Sequence, residues 1–269
     1  MLQSLSNALS GLRAISQFDR VLFTLSQRLL GRRLGWAIYT KGRLQFLVDH
    51  LAGDQSGTRD CIAGPMYREL FTEMQLPRQL RLLDLGANGG GFPLLCLDLG
   101  FELTSLACVE VNPFTHSRLV LNIRQNVGLQ PKILNVAVGG QPRGLVLSFP
   151  AGGTGFSIYG TAAGTANEQA LVEVLTLDEI MRRGFGGGAV DLCKMDVEGA
   201  EYEAFLDGES ESLRRVHFLV IEIHAAEPSE RAALASRLSD LGFDLIRTSA
   251  FCTDVHLFVN RLWVDSDPG

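Results

Sequence analysis

Residues 81–91 read Arg-Leu-Leu-Asp-Leu-Gly-Ala-Asn-Gly-Gly-Gly, and this stretch decides the fold predicted for the 269-residue chain. The apolar residues up to Leu85 are typical of a short buried strand, and the apolar segment Phe92–Leu99 after the glycines predicts a helix. Glycine lets the main chain turn sharply and approach a ligand, because no Cβ stands in the way. The first turn of the following helix offers unpaired N–H groups. This strand–turn–helix unit therefore predicts a ligand site at the glycine turn.

A second acidic residue, Glu110, ends the apolar segment Leu103–Val109, one strand–helix–strand unit after Asp84. A carboxylate at the end of the second strand can accept hydrogen bonds from both hydroxyls of a ribose. The glycine turn alone is a weak motif, which a purely structural turn also explains. With Glu110 in register, the two features together predict a nucleoside-containing ligand.

Two features separate the possible nucleoside ligands. The dinucleotide fingerprint G-x-G-x-x-G requires a second glycine where this chain has Asn88. Little chain remains, moreover, for the separate catalytic domain that a dehydrogenase usually adds. S-adenosylmethionine is therefore the predicted cofactor, and the residues predicted to bind it are Asp84, Gly86, Ala87, Asn88, Gly90, Glu110 and Asp196.

Strand segments alternate with helical segments through a predicted domain of residues 77–264, which indicates an α/β fold with a mostly parallel sheet and helices on both faces. Lys132–Val138 is predicted as one of its strands. Residues 1–76 carry apolar side chains at steps of three or four, which predicts a helical N-terminal appendage that packs on its own domain or forms a homodimer. The Gly-rich segment Pro150–Gly164 is either a surface loop or a candidate acceptor pocket that contains Phe156, Ser157 and Tyr159.

Carboxylates cluster directly after the apolar strand Val190–Met195, at the strand end where open α/β sheets bind ligands. They are Asp196, Glu198 and Glu201. These side chains are predicted to orient a substrate hydroxyl, to accept its proton or to hold a divalent cation. Glu198 and Glu201 also suit a simple capping role, because acidic groups at a helix start complement the helix dipole.

Two further catalytic candidates, Glu222 and His224, end the apolar segment Val220–Ile223. A carboxylate within so apolar a segment either faces the site or needs a partner, for which Lys194 is a candidate. His224 is suited to take a proton from a hydroxyl, since its reference pKa is near neutrality. A solvated or core histidine explains the same residue equally well.

The composition is that of an ordinary globular protein, with 46% hydrophobic and 20% charged residues. The net charge of −6 and the lack of a long basic segment argue against a nucleic-acid partner. No apolar stretch reaches the roughly 18 residues of a membrane span, and the N-terminus lacks a secretory pattern. The five cysteines are scattered and form no C-x-x-C pair, which is typical of a reducing compartment. We therefore expect a cytoplasmic protein.

These elements, in this order, resemble the FkbM family of S-adenosylmethionine-dependent methyltransferases. The matching segments are LLDLGANGGG (82–91), VEVNP (109–113) with Asn122, LTLDEI (175–180), DLCKMDVEGAEYEAFL (191–206) and VIEIH (220–224). The combination of D-x-G-A-N-x-G with K-x-D-x-E-G-x-E is the specific part. The resemblance implies a Rossmann-like seven-stranded methyltransferase sheet whose last strand is antiparallel. It also implies O-methylation of a hydroxyl, commonly on a sugar or a secondary metabolite.

By position, the resemblance places Glu110 at the ribose and puts two groups of residues around the methyl donor. The cofactor loop receives Asp84, Gly86, Asn88 and Gly90, and the acidic signature near the transferred methyl receives Asp196, Glu198 and Glu201. Gly89 and Gly91 replace the larger residues that are usual there, so the loop is expected to be unusually flexible.

The predicted function is therefore O-methylation of a small-molecule or carbohydrate acceptor, with Asp196 or His224 as the base. Three alternatives stay open at this point. They are a nicotinamide-dependent oxidoreductase, a methyltransferase-like module that binds the cofactor without turnover, and a nucleic-acid methyltransferase.

Overall fold

The computed structural model describes residues 16–19, 22, 25–26, 35–150 and 167–263. Its strands are β1 (Trp36–Lys41), β2 (Leu44–Asp49), β3 (Gln79–Leu85), β4 (Glu102–Val109), β5 (Lys132–Leu134), β6 (Val136–Val138), β7 (Arg143–Pro150), β8 (Asn167–Leu175), β9 (Val190–Met195), β10 (Val216–Glu222), β11 (Phe243–Thr248) and β12 (Val255–Asn260). The longer helices are α1 (Gly91–Asp98), α2 (Pro113–Asn126), α3 (Leu177–Phe185), α4 (Glu201–Leu206) and α5 (Pro228–Asp240). Short helical turns cover Gln55–Asp60, Cys61–Ala63, Pro65–Arg68, Glu69–Glu73 and Glu211–Arg215.

Seven strands form the central sheet in the order β11-β12-β10-β9-β3-β4-β5. The strands from β10 to β5 in this order run parallel, and β12 is antiparallel to both of its neighbours. Strand β3 occupies the middle, between β9 and β4, so the residues that follow these three strands meet at one edge. The predicted mostly parallel sheet with an antiparallel last strand is confirmed.

Successive side chains of the parallel strands point to opposite faces of the sheet, and they pack into two cores, one on each face. Along β3, Leu80 and Leu82 pack on the side of α1 and α2, whereas Leu83 and Leu85 pack on the side of α3, α4 and α5. Asp84 shares the face of Leu82, and its side chain points toward α1 rather than α4. The helices on both faces, which the alternating pattern predicted, are therefore confirmed.

The segment Lys132–Val138, predicted as one strand, is divided between two sheets. Strand β5 pairs with β4, while β6 pairs with β8 in a separate sheet of order β6-β8-β7. The division occurs at Asn135, whose side-chain amide donates to the carbonyl oxygens of Glu110 and Val111 at 2.8 and 3.0 Å. These bonds end the pairing with β4, and they direct β6 away from the central sheet.

The helical character predicted for residues 1–76 is wrong for residues 36–49, where β1 and β2 form an antiparallel hairpin. Buried side chains alternate with exposed ones along both strands, and this period of two outweighs the weak helical pattern. Most of residues 1–34, on which the predicted homodimer contact rests, lie outside the described residues, as do Phe156, Ser157 and Tyr159 of the predicted acceptor loop.

The hairpin and the segment that follows it belong to the same core as the central sheet. Tyr39, Phe46 and Ile62 are buried in one cluster with Leu82 of β3 and Leu94 of α1. We call residues 54–74 the cap segment, because they cover the end of the sheet beside α1. The predicted boundary at residues 76 and 77 therefore does not coincide with a break in the core.

Two asparagines of α2 bind the main chain of β2 as a neighbouring strand would. Asn122 accepts a hydrogen bond from the Leu47 N–H at 2.7 Å and donates to the Leu47 carbonyl at 2.9 Å. Asn126, one helical turn later, makes the equivalent pair of bonds with Gln45. Side chains thereby pair the main-chain groups at the edge of the hairpin, and these hydrogen bonds fix the hairpin against α2.

The described residues include no helix that combines the length and the apolar character needed to cross a bilayer.

A buried ion pair joins the cap segment to α2. The Asp54 carboxylate has no exposed surface, and it binds the Arg118 guanidinium through both oxygens, with 2.9 Å between Oδ1 and Nη2. Arg118 also donates to the Thr115 hydroxyl at 3.2 Å. Removing one partner of such a pair leaves an uncompensated buried charge.

We expect Asp54→Asn to lower the free energy of unfolding by up to about 3–5 kcal/mol, because the buried Arg118 then keeps only the more distant Asp49 carboxylate, 4.0 Å away, as a counter-charge. Urea unfolding with an unchanged m-value measures this loss. The matched control is Glu102→Gln, which removes the exposed pair with Arg78 and costs less than about 1 kcal/mol. Equal losses in the two variants would contradict the structural role of the buried pair.

Candidate functional site

A cavity of about 480 Å³ lies at the carboxyl ends of β3, β4 and β9. Its size falls within the range of small-molecule sites. Six parts of the chain form its walls: the cap segment, the glycine turn with the start of α1, the end of β4, the strand β6, the end of β9 with the residues that follow it, and the end of β10. The cavity thus lies at the sheet edge that the sequence predicts. Its lining also includes segments that the sequence did not predict, namely the cap segment and β6.

The glycine turn approaches the end of β9 so closely that only glycine fits at its first position. Gly86 has a φ of +74°, and a Cβ built there would lie 1.7 Å from the carbonyl oxygen of Asp196. Asn88 also adopts a left-handed backbone, with a φ of +49°, which asparagine tolerates better than most residues. Gly90 has a φ of +88° and packs against Leu119 and Ile123 rather than against the cavity.

The cap segment interlocks with the same turn. A Cβ on Gly91 would lie 2.2 Å from the Gly57 carbonyl oxygen, and a Cβ on Gly89 would lie 2.1 Å from the Thr58 hydroxyl. A Cβ on Gly57 would in turn meet the Asn88 side chain at 2.4 Å. Gly89 and Gly91, expected from the sequence to add flexibility, therefore serve close packing between two segments.

The cap segment supplies a wall that the sequence reasoning missed. The lining residues on it are Ser56, Gly57, Asp60, Cys61, Gly64, Met66 and Tyr67. Their only signal in the sequence is the glycine pair that bounds the loop 53–57. Nothing in that pattern connects the loop to a turn some thirty residues later, because the connection is made by packing alone.

Glu110 lies where it was predicted, at the end of β4 beside the glycine turn. Its two carboxylate oxygens accept hydrogen bonds from the main-chain N–H groups of Asn88 at 2.9 Å and Asn112 at 2.8 Å. Burial raises the pKa of Glu110 to about 7, and these two hydrogen bonds oppose the increase. Each oxygen keeps a further lone pair, so the carboxylate can still accept from a ligand in the cavity.

Asp84 and Lys194 face each other beneath the cavity. The Lys194 ammonium donates to the Gly86 carbonyl at 2.7 Å and lies 3.6 Å from Asp84 and 3.5 Å from Asp196. Neither oxygen of the fully buried Asp84 has a hydrogen-bond partner among the described residues. Burial raises the pKa of Asp84 to about 6, against the opposing effect of Lys194.

Lys194 stays charged in this setting. Burial acts to lower its pKa, but the carboxylates of Asp196 and Asp84 outweigh burial and raise the pKa well above the usual value. The pairing of Lys194 with Glu222, which the sequence left as a candidate, is absent from the ion pairs of the described residues. Burial raises the pKa of Glu222, and Asp196 raises it further.

Asp196, Glu198 and His224 form a cluster at one side of the cavity. The His224 Nε2 atom lies 3.3 Å from Glu198 Oε2 and 3.9 Å from Asp196 Oδ1. Hydrogen bonds with Glu198 and Glu201 raise the pKa of His224 to about 10. Hydrogen bonding to His224 correspondingly lowers the pKa of Glu198.

Glu201 holds His224 in place from behind. The Glu201 carboxylate is completely buried and accepts hydrogen bonds from the His224 N–H at 2.7 Å and the Gly199 N–H at 3.0 Å. The His224 Nδ1 atom lies 3.2 Å from the same carboxylate. The Tyr202 hydroxyl donates to the His224 carbonyl at 2.8 Å, so both the main-chain N–H and the carbonyl of His224 are held by hydrogen bonds.

The predicted site residues therefore divide into two groups. Those that line the cavity are Gly86, Ala87, Asn88, Glu110, Asp196, Glu198 and Glu222. Those that do not line it are the buried residues Asp84, Gly90 and Glu201 and the partly exposed His224. The catalytic and binding roles of both groups stay predictions.

Several solved structures align with this chain at low sequence identity. The FkbM methyltransferase from Methylobacillus flagellatus aligns over 90% of this chain and 60% of its own length, with 15% identity and a TM-score of 0.47. This chain thus spans less than two thirds of that protein. Fibrillarin from Aeropyrum pernix, solved with S-adenosylmethionine bound, aligns over 83% and 93% of the two chains, with 14% identity and a TM-score of 0.44.

A third solved structure, the ribosomal protein L11 methylase from Lactobacillus delbrueckii, aligns over 71% of this chain and 73% of its own, with 9% identity and a TM-score of 0.41. No curated protein matches the sequence. The sequence model of the methyltransferase FkbM domain matches residues 84–245, which is more than half of the chain and includes the glycine turn, Glu110 and the acidic cluster. The chain therefore belongs to the FkbM family of methyltransferases.

Proposed function

We propose that this protein transfers a methyl group from S-adenosylmethionine to a hydroxyl of a sugar, a glycan or a secondary metabolite. The observation that carries the proposal is the charge of the cavity wall. Its lining includes one ammonium, Lys194, against five carboxylates: Asp60, Glu110, Asp196, Glu198 and Glu222. Lys194 is itself engaged with Gly86, Asp84 and Asp196. Such a surface favours a cationic ligand over an anionic one.

S-adenosylmethionine fits this wall because it carries a sulfonium and an ammonium. The residues that would hold it are Glu110 at the ribose hydroxyls, the main chain of Gly86–Asn88, and Asp84 with Lys194 near the amino-acid portion. Asp84 is fully buried beneath the lining, so it would act on the ligand through the charge and position of Lys194. When bound, the cofactor supplies an activated methyl group.

The chain's own contribution is to orient the acceptor and to remove its proton. Of the two candidate bases, Asp196 lines the cavity, whereas His224 does not line it and lies beside Glu198 and Asp196. We therefore assign proton removal to Asp196. Glu198 and Glu222 position the acceptor, and Glu201 acts through His224 as a positioning residue.

The alternative of a nicotinamide-dependent oxidoreductase needs a site for a diphosphate. Two positive features at this site, the N-terminus of α1 and Lys194, compete with the five carboxylates. Titration calorimetry separates the candidates, because the proposal requires heat with S-adenosylmethionine and none with NADH. A cofactor-binding module without activity would bind S-adenosylmethionine and form no S-adenosylhomocysteine with any acceptor of a hydroxyl-bearing panel.

The proposal extends to partners and location. The acidic cavity favours a neutral or cationic small-molecule or carbohydrate acceptor over a nucleic acid, whose phosphates it would repel. The five cysteines are free thiols, and four of them are buried, which is in keeping with a reducing cytoplasm.

We expect Glu110→Gln to raise the Kd for S-adenosylmethionine by about 10–150-fold, because a charged hydrogen-bond acceptor contributes about 1.5–3 kcal/mol. Titration calorimetry at mildly alkaline pH measures the change. The matched control is Glu102→Gln at the opposite, exposed end of β4, which leaves the Kd unchanged. An unchanged Kd in Glu110→Gln would remove Glu110 from the cofactor site.

The affinity of the wild-type protein should also depend on pH. Burial raises the pKa of Glu110 to about 7, so the carboxyl is protonated in the free protein at lower pH and must lose that proton to accept from the ribose. We therefore expect the Kd to rise by up to about tenfold for each pH unit below 7. Glu110→Gln lacks this dependence, and a persistent slope in that variant would assign the titration to another group.

We expect Asp196→Asn to lower kcat by about 100-fold or more, because the amide cannot accept the acceptor's proton. The measurement is S-adenosylhomocysteine formation with an acceptor that supports wild-type turnover, together with the Kd for the cofactor. The exposed residue Asp240 in α5 supplies the control Asp240→Asn. Wild-type kcat in Asp196→Asn would exclude this residue as the base.

A further inference from the structure

We propose that Asp196, Glu198 and His224 form a binding site for one divalent transition-metal ion at the wall of the cavity. One ligand atom from each side chain lies within 4.8 Å of the other two. Metal–ligand bonds in such sites are about 2.0–2.2 Å long, so two ligands of a tetrahedral ion stand about 3.3–3.6 Å apart. The His224 Nε2 atom lies 3.3 Å from Glu198 and 3.9 Å from Asp196, and side-chain rotations that move the atoms by up to about 1 Å bring all three to coordination distance.

The imidazole is oriented as a metal ligand usually is. Its Nδ1 faces the buried carboxylate of Glu201 at 3.2 Å, and this contact leaves Nε2 directed at Glu198 and Asp196. Ligating histidines commonly give their second nitrogen to a carboxylate in this way, which fixes the ring and the tautomer. Glu201 is completely buried and does not line the cavity, so we assign it to the orientation of His224 and not to the ion itself.

The remaining contacts leave room for an ion. Lys194 lies 3.5 Å from Asp196 Oδ2, so the other oxygen, Oδ1, is the one directed at His224. Asp196 and Glu198 both line the cavity, which gives an ion access to solvent and to a bound acceptor.

The donor set indicates the class of ion. One imidazole nitrogen with two carboxylate oxygens suits Mn²⁺, Fe²⁺ or Zn²⁺ better than Mg²⁺ or Ca²⁺, which prefer oxygen alone. Such an ion would bind the acceptor hydroxyl and withdraw electron density from its oxygen, and Asp196 would take the proton on Oδ2, the oxygen that is not directed at the ion. This role rests on the proposed function, because it requires that the cavity receive a hydroxyl. The site itself does not.

The test measures Mn²⁺ binding to the full chain. Binding is detected as a loss of the electron paramagnetic resonance signal of the free ion. We expect one ion per chain in the wild type. Glu198→Gln and His224→Gln should each weaken binding by at least about tenfold, and Glu201→Gln by about 10–100-fold through the orientation of His224. The control Asp240→Asn, an exposed carboxylate on α5, should bind as the wild type does. Glu198 is the most exposed of the three ligands, so Glu198→Gln is the substitution that should disturb folding least.

The site is disproved if the wild type binds no Mn²⁺ with a Kd below about 1 mM, or if Glu198→Gln and His224→Gln both keep wild-type affinity. Calorimetry with S-adenosylmethionine in the absence of metal separates this failure from that of the proposed function. Cofactor binding without Mn²⁺ binding overturns the metal site alone. Mn²⁺ binding without cofactor binding supports the metal site and overturns the function.

Discussion

The buried ammonium of Lys194 connects the three segments on which the site depends. It bonds the carbonyl of Gly86 in the glycine turn, and it balances Asp84 at the end of β3 and Asp196 after β9. Without this cation, the fully buried carboxylate of Asp84 would have no counter-charge, which is costly. The charge of Lys194 is therefore what allows acidic side chains to occur on both neighbouring strands at the floor of the cavity.

Close packing adds a second constraint at the same edge. The turn passes the Asp196 carbonyl with no space for a Cβ at Gly86, and the cap segment fills the space above Gly89 and Gly91. The glycines thus allow three main-chain segments to meet, and the cavity is enclosed by their contact. Asp54 and Arg118 hold the cap segment in position from the side of α2.

The acidic cluster shows how one group of side chains serves two purposes. Glu201 accepts hydrogen bonds from the main-chain N–H groups of Gly199 and His224, whereas Asp196 and Glu198 line the cavity. The sequence left helix capping and a chemical role as alternatives for these glutamates, and the helix that begins at Glu201 has no side-chain cap. Glu201 instead fixes the main chain of Gly199 and His224, and the chemical role of Glu198 stays a proposal. The two glutamates differ in position because the chain turns through left-handed conformations at Glu198 and Gly199, which separates the two side chains.

The sequence by itself determined the alternation of strands and helices, the glycine turn, and the positions of Glu110 and of the carboxylates after β9, because each depends on local periodicity or on a strand end. It misassigned residues 36–49 as helix, it joined β5 to β6, and it gave no sign that the cap segment forms a wall of the cavity. Only the tertiary structure decided these points, since the hairpin is held by Asn122 and Asn126 of α2, β6 by pairing with β8, and the cap by contact with Gly89 and Gly91. Such contacts join residues far apart in the chain, and no local pattern of side chains encodes them.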